Sequence, residues 1–305
     1  MSKVIVVGTL AFDTIETPYG KVERVIGGSA PFASLAAKTK NIECAVVSII
    51  GNDFPKSYLD LLVSKGINIS EVQIEKDGKS FFWCGKYHDN MNKRDTLETQ
   101  VNVLANFDPK IPENFKNPDV LVLGNLDPKV QLSIVSQFDK KPNFTMLDTM
   151  NFWINSKRKS LDKAFKRINL LTINELELRL ITKKKSLEKS LEYIFNRYPI
   201  KFLVVKKGSS GSLLATRNSL NWIPCYPFAN MIDPTGAGDS FAGGLFSFLN
   251  NVNSFDKKNI LLGMIYGSAI ASFTIESFGT NKIFNLSKQE IDNRYKILKK
   301  IAKII

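Results

Sequence analysis

Short, uninterrupted apolar runs alternate with stretches of helical periodicity along most of this chain. Residues 4–7 (Val-Ile-Val-Val) stop at Gly8, the pattern of a strand buried on both faces of a parallel sheet. Residues 44–50 repeat it and stop at Gly51-Asn52-Asp53, and 120–123, 144–147, 170–173 and 202–205 are further runs of this kind. Helical spacing appears in Tyr58, Leu59, Leu61, Leu62 and Val63, closed by Gly66, and again in Phe241, Leu245, Phe246, Phe248 and Leu249. Residues 260–275 are apolar and small, with Gly263, Gly267, Ala269 and Ala271, and predict a tightly packed buried helix. Residues 287–305 predict a charged amphipathic helix. The expected fold class is therefore α/β, a doubly wound and mostly parallel sheet flanked by helices, in a single domain over residues 1–305.

Two stretches break the alternation. Residues 14–26 are short, polar and extended around Pro18 and Gly20; residues 79–107 are extended and aromatic (Phe81, Phe82, Trp83, Tyr87) with no long helix. Together they predict a small separate sheet. Exposed aromatics on such a sheet suit a lid over a ligand or a subunit contact, and an irregular excursion packed on the core is the plainer reading.

Composition narrows the function. The formal charge of +13 comes from 42 Lys+Arg against 29 Asp+Glu, but the lysines are scattered, whereas a nucleic-acid binder concentrates them on one face. A diffuse positive potential favours a small polyanion such as ATP. No segment is long and apolar enough for a bilayer, and the first ten residues read as a strand, not a signal peptide. The three cysteines, Cys44, Cys84 and Cys225, form no Cys-x-x-Cys pair and suit a reducing, cytoplasmic location. The single histidine, His88, excludes a His-rich metal site.

The chemistry concentrates in Asp233-Pro-Thr-Gly-Ala-Gly-Asp-Ser-Phe-Ala-Gly-Gly244. Pro234, Gly236 and Gly238 disfavour a helix, and one begins at Asp239. A glycine-rich turn entering a helix leaves N–H donors for an anion, reinforced by the helix dipole. A carboxylate at that mouth repels an anion, so Asp239 makes sense as the acceptor of a proton from an attacking hydroxyl. A plain cap after a turn is the bland alternative. Asp13 lies beyond the carboxyl end of the first strand, where open α/β sheets bind ligands. Asn125 and Asp148 follow two other strands and either reach a substrate or cap helices. Asn174 and Glu177 open a helix, where acidic residues are stabilising anyway. The Lys206 to Gly211 loop receives phosphate or simply turns a hairpin.

The run from Asp233 to Gly244 closely resembles the C-terminal signature of the ribokinase-like (PfkB) family of carbohydrate and nucleoside kinases, and the other landmarks follow in the family's order. The resemblance implies ATP and Mg²⁺ as cofactors, Asp239 as catalytic base, and Gly236, Ala237 and Gly238 as the anion hole. It implies that Asp13 binds sugar hydroxyls and that Gly27-Gly28 is a hinge beneath a β-sheet lid. Asn174 and Glu177 match its Asn-x-x-Glu motif, which organises Mg²⁺ and phosphate through water. Lys206, Gly208 and Gly211 fall in its nucleotide loop, and a monovalent cation such as K⁺ is expected near Asp233 and Thr235. A homodimer through the lid is a further implication. Ribokinase itself continues its Gly-Gly segment with Lys and Asn where this chain has Ser29 and Phe32, which speaks against ribose. The expected reaction is transfer of the ATP γ-phosphoryl to a hydroxymethyl of a sugar. The alternatives are a nucleoside kinase, with Phe32 and Trp153 as a base pocket, or a non-catalytic sugar or nucleotide-binding regulator. The last predicts loss of the base or the glycines, and both are present.

Overall fold

The computed structural model describes residues 3–40, 42–250, 252 and 254–303, so the last two positions of the expected tail helix lie outside the described residues. Numbered in chain order, the main-sheet strands are β1 (Lys3–Val7), β4 (Glu43–Gly51), β5 (Ile67–Glu75), β8 (Val120–Leu123), β9 (Phe144–Asp148), β10 (Leu170–Asn174), β11 (Phe202–Lys206), β12 (Ser212–Thr216) and β13 (Ser219–Ile223). Those of the smaller sheet are β2 (Ala11–Thr17), β3 (Gly20–Gly27), β6 (Phe81–Tyr87) and β7 (Arg94–Gln100). The main sheet runs β13-β12-β11-β10-β9-β8-β1-β4-β5. All neighbours from β11 to β5 are parallel; β12 and β13 return antiparallel. Chain order reverses at β1, which has β4 on one side and β8 on the other. Ligands of open α/β sheets bind in the crevice at such a reversal, outside the carboxyl ends.

Alternation within β1 assigns the two faces. Val4 and Val6 pack into one core with α1 (Ser29–Ala37), α2 (Lys56–Ser64), α8 (Ala237–Leu249), α9 (Lys257–Thr274), α10 (Asn281–Phe284) and α11 (Lys288–Ile301). Ile5 and Val7 pack into the other, with α3 (Pro128–Ser136), α4 (Asn151–Ser156), α5 (Arg158–Phe165), α6 (Glu175–Thr182) and α7 (Leu187–Arg197). Burial on both faces is why these strands lack polar alternation. Helix α8 is wedged between α1 and α9: a Cβ on Gly243 would stand 2.1 Å from the Ala33 carbonyl, and one on Gly267 2.4 Å from the Phe241 carbonyl. That close packing fixes where the N-terminus of α8 points.

In the smaller sheet β2 and β6 are parallel neighbours, with β3 and β7 at the edges. Asp13, Trp83 and Thr99 are paired across three strands and share a face. Tyr87, on that face, accepts a hydrogen bond from Thr235 Oγ1 (3.1 Å), and Asn92 in the β6–β7 turn donates to Ser209 Oγ (3.2 Å). The face therefore covers the carboxyl ends of the main sheet. Asp13 lies beyond the carboxyl end of β1 and inside β2, whose Ala11 and Phe12 already pair with β3 and β6. The other side carries Glu16–Lys86 and Lys21–Glu23 ion pairs (2.6 Å each). Charged groups of this kind are depleted from interface cores, so that side suits solvent better than a second copy.

Candidate active site

Gly236 adopts a left-handed conformation (φ 76°) and caps α8. A Cβ there would lie 2.4 Å from the Phe32 ring, which fills the underside of the turn. Ser240 N–H donates to the Gly236 carbonyl (2.8 Å), starting the helix. Ala237 N–H, expected in the anion hole, turns back to the Pro234 carbonyl (3.2 Å). The tight turn that αL glycine permits uses that donor, leaving the first-turn N–H groups of Gly238 and Asp239 at the positive helix end. Lys206 Nζ stands 3.2 Å from where a Gly238 side chain would begin, so an ammonium lies against the same turn.

Lys206 reaches this point from the end of β11 and pairs with Asp148 Oδ2, at the end of β9, at 2.7 Å. Burial pushes the Asp239 carboxyl up to about 7; the Asp148 charge adds to this, while Lys206 and Arg94 oppose it. Glu177 is also raised to about 7, chiefly by burial and against the pull of Lys206. Its Oε2 accepts from Asn174 N–H (2.7 Å) and its own N–H donates to Asn174 Oδ1 (2.8 Å), a reciprocal cap that holds both at the rim of α6. The capping and functional readings of this pair are thus compatible.

Asp13 arrives from the smaller sheet. Burial raises its carboxyl to about 7, the Gly28 N–H opposes this, and Asp233 and Asp239 push it further up. A Cβ on Gly27 would sit 1.9 Å from Asp13 Oδ2, so the bare glycine is the seat of this carboxylate. Gly28 (φ 88°) turns its N–H towards it. Asp233 is fully buried and raised to about 6 by burial; its Oδ1 accepts from Thr235 N–H (2.9 Å) and its Oδ2 has no hydrogen-bond partner. A buried, unpaired carboxylate oxygen fits a monovalent cation. Among the described residues no three His, Cys, Asp or Glu side chains converge as a metal cage. A divalent ion here would take most of its oxygens from phosphate and water, as Mg²⁺ usually does.

Sequence reasoning missed Arg94. It opens the edge strand β7, which is exposed throughout, polar but for Leu97, and gives no periodic signal. Its guanidinium lies over the Trp83 ring (5.1 Å), donates to Tyr87 OH (3.4 Å), and lowers the carboxyls of Asp13, Glu177, Asp233 and Asp239 alike. It is the cation that the smaller sheet brings to the site. The other expected residues make local contacts of their own. Gly208 meets Asn92 of the small-sheet turn, and Gly211 packs on the Ile223 carbonyl of β13. Asn125 Nδ2 points to Met150 Sδ (3.0 Å), and its Oδ1 is buried without a partner. Phe32 (1% exposed) and Trp153 (7%) are both buried, so neither faces the cleft as a base pocket would require. They are core residues because Phe32 supports the Gly236 turn and Trp153 packs beneath Phe152.

The raised carboxyls have a consequence for stability. The folded protein retains protons on Asp13, Glu177, Asp233 and Asp239 that the unfolded chain loses near pH 4, so this cluster's contribution falls as pH rises from about 4 to 7. The ligand-free protein is expected to melt at a lower temperature at pH 8 than at pH 5.5. The difference should shrink in Asp239→Asn, as scanning calorimetry would show.

Comparison with known proteins bears on the family and the fold. The family model described as pfkB family carbohydrate kinase matches residues 1–286. A cytidine kinase of Thermococcus kodakarensis is 28% identical over 250 residues, covering 81% of this chain and 88% of the relative. A nucleoside kinase of Methanocaldococcus jannaschii is 26% identical over 294 residues, 92% of each chain. Its crystal structure superposes with a TM-score of 0.77 at 22% identity, covering 97% of this chain and 99% of that one. The ribokinase of Giardia lamblia superposes with a TM-score of 0.82 at 16% identity, over 97% and 99%. No helix among the described residues is long and apolar enough to cross a membrane. The fold, with its large mostly parallel sheet and smaller second sheet, is the ribokinase fold. A match running through nearly the whole chain carries more than fold, and the protein belongs to the pfkB family of carbohydrate kinases, phosphotransferases whose acceptor is an alcohol.

Proposed function

We propose that the protein transfers the γ-phosphoryl of ATP to the hydroxymethyl group of a nucleoside. The observation that carries this reading is the position of Asp239. A half-buried carboxyl raised to about 7 stands in the first turn of α8, beside N–H donors and the Lys206 ammonium. A base poised near neutrality is matched to taking a hydroxyl proton. As the acceptor oxygen forms its bond to the γ-phosphorus, its proton passes to Asp239 and the bond to the β-phosphate oxygen breaks, releasing ADP. The Gly238 and Asp239 N–H groups, Lys206 and Arg94 meet the charge on the transferring group, usually the largest catalytic term. Asp13 orients the acceptor through its ring hydroxyls.

Mg²⁺, when bound with ATP, would supply charge neutralisation for the phosphates. Glu177 would hold its water shell, and Asp233 with Thr235 would hold K⁺. Closure of the smaller sheet excludes water and limits wasteful hydrolysis. The nucleoside acceptor is favoured over a free sugar by two relatives matched over most of the chain, one named cytidine kinase and the other nucleoside kinase. ADP release from Mg-ATP with K⁺ present, measured across nucleosides and free sugars, tests this. Release with nucleosides and none with sugars is expected; the reverse would return the acceptor to a free sugar.

A further inference from the structure

Helix α11 begins at Lys288, beyond residue 286, where the match to the family model stops. Its Ile291 and Leu298 are buried in the core that holds α8 and α9, and a reciprocal Ser287–Glu290 cap secures its start. From this fixed base Arg294 reaches the last turn of α9. Its Nη1 donates to Ser272 Oγ (2.8 Å) and its Nη2 to Glu276 Oε1 (2.7 Å). The guanidinium also lies over the Phe273 ring at 3.5 Å and the Tyr226 ring at 4.6 Å. The Arg294 and Glu276 side chains are each only 15% exposed, so this is a directional grip and not a screened surface pair.

The residues so gripped lead the chain into a turn that lies against Asp233. The Ile275 carbonyl, next to Glu276, accepts both the Ile232 N–H (2.7 Å) and the Asp233 N–H (3.1 Å). Four residues on, the Gly279 N–H donates to the Asp233 carboxyl. Thr274 Oγ1 donates to Ser240 Oγ on α8 (2.8 Å), so the end of α9 meets the Asp233–Asp239 turn at both its ends. The far end of the 275–280 turn is tied independently, by Tyr58 OH and Thr280 Oγ1 at 2.8 Å. Arg294 ties the near end. Among the described residues its hydrogen bonds and ring contacts all go to Tyr226, Ser272, Phe273 and Glu276, so it touches no group assigned to the chemistry above.

Resting on the assignment of K⁺ to Asp233 and Thr235, we infer that Arg294 is a positioning residue for the monovalent-cation site, acting through Glu276 and Ile275 on the backbone of Asp233. Outer-shell partners of this kind set affinity by fixing a ligand's orientation before the ion arrives. A helix that follows the family match thereby tunes how much K⁺ the site needs.

The test uses the full-length protein and its Arg294→Met, Glu276→Ala and doubly substituted variants. Methionine keeps the apolar stem against Phe273, and Lys282 Nζ, 3.9 Å from Glu276, remains as a counter-charge. KCl is varied at constant ionic strength with tetramethylammonium chloride. The melting temperature of the ligand-free protein and kcat at saturating Mg-ATP and acceptor are both followed. Arg294→Met is expected to raise the half-saturating K⁺ about tenfold in both readouts. Excess K⁺ repopulates the competent geometry, so kcat at saturation should return to within about twofold of the parent. The effects of Arg294→Met and Glu276→Ala should not add, because each breaks the same link. An unchanged half-saturating K⁺ in Arg294→Met would overturn the inference, and additive losses would contradict the route through Glu276. Turnover lost together with melting temperature, and not restored by K⁺, would assign Arg294 to packing alone. A parent whose melting temperature and turnover both ignore K⁺ would overturn the cation reading and this role with it, leaving phosphoryl transfer at Asp239 standing.

Discussion

Asp239→Asn is expected to lower kcat by about 10²-fold or more while the KM for ATP changes by no more than a few-fold. The substitution keeps the size of the side chain and removes only its ability to take a proton. It also removes a carboxyl that burial and Asp148 disfavour in the charged form, so the variant should be no less stable than the parent at pH 8. Intact folding combined with lost turnover separates a catalytic role from a structural one. In the parent, kcat/KM should rise through an acid limb near pH 7. That limb belongs to the interacting set of Asp13, Glu177 and Asp239 and not to one residue. Near-normal turnover in Asp239→Asn would remove the base from the account.

The second large effect is expected at Lys206. Lys206→Met should reduce kcat/KM by about 10²- to 10³-fold, the scale of losing one preorganised group at a developing charge. Its charge is secure: burial disfavours it, but Asp148, Glu177 and Asp239 together hold the ammonium above the ordinary lysine range. Because Lys206 lowers the carboxyls of Asp239 and Glu177, its removal should move the acid limb of kcat/KM to higher pH. That shift is a reading that mere loss of packing would not produce. Asp148 would also lose its partner. Removing one member of a buried pair costs about 3–5 kcal/mol, but 22% of the Lys206 side chain is exposed, so the loss should fall below that range. Lys206→Arg should recover much of the stability and little of the rate, since the planar guanidinium does not fit against Gly238 as an ammonium does. An unshifted acid limb in Lys206→Met would contradict this placement.

How far the chain could be read without its structure depended on where each signal lies. The core strands declared themselves because both their faces are buried, which leaves continuous β-branched runs such as Val4–Val7. The turn at Gly236 was legible because Pro and Gly restrict the backbone locally, and the Asn174–Glu177 pair because a cap spans three residues. Contacts between distant positions were not legible. Lys206 and Asp148 are 58 residues apart and meet only because β11 and β9 end at the same level of one sheet. Arg94 escaped notice because an exposed edge strand carries no hydrophobic period. Phe32 and Trp153 were read as candidate pocket aromatics, since an aromatic near a motif looks the same whether it faces the cleft or supports it. The neighbouring Phe152 is the one left exposed.

The most direct test of the account is a ³¹P NMR spectrum of the protein with Mg-ATP, K⁺ and a nucleoside, followed to completion. The account predicts a new phosphomonoester resonance, split by the two protons of a CH₂ group, growing one for one with ADP. Inorganic phosphate growing with ADP in its place, at the same rate with or without nucleoside, would contradict phosphoryl transfer to a hydroxymethyl acceptor at Asp239.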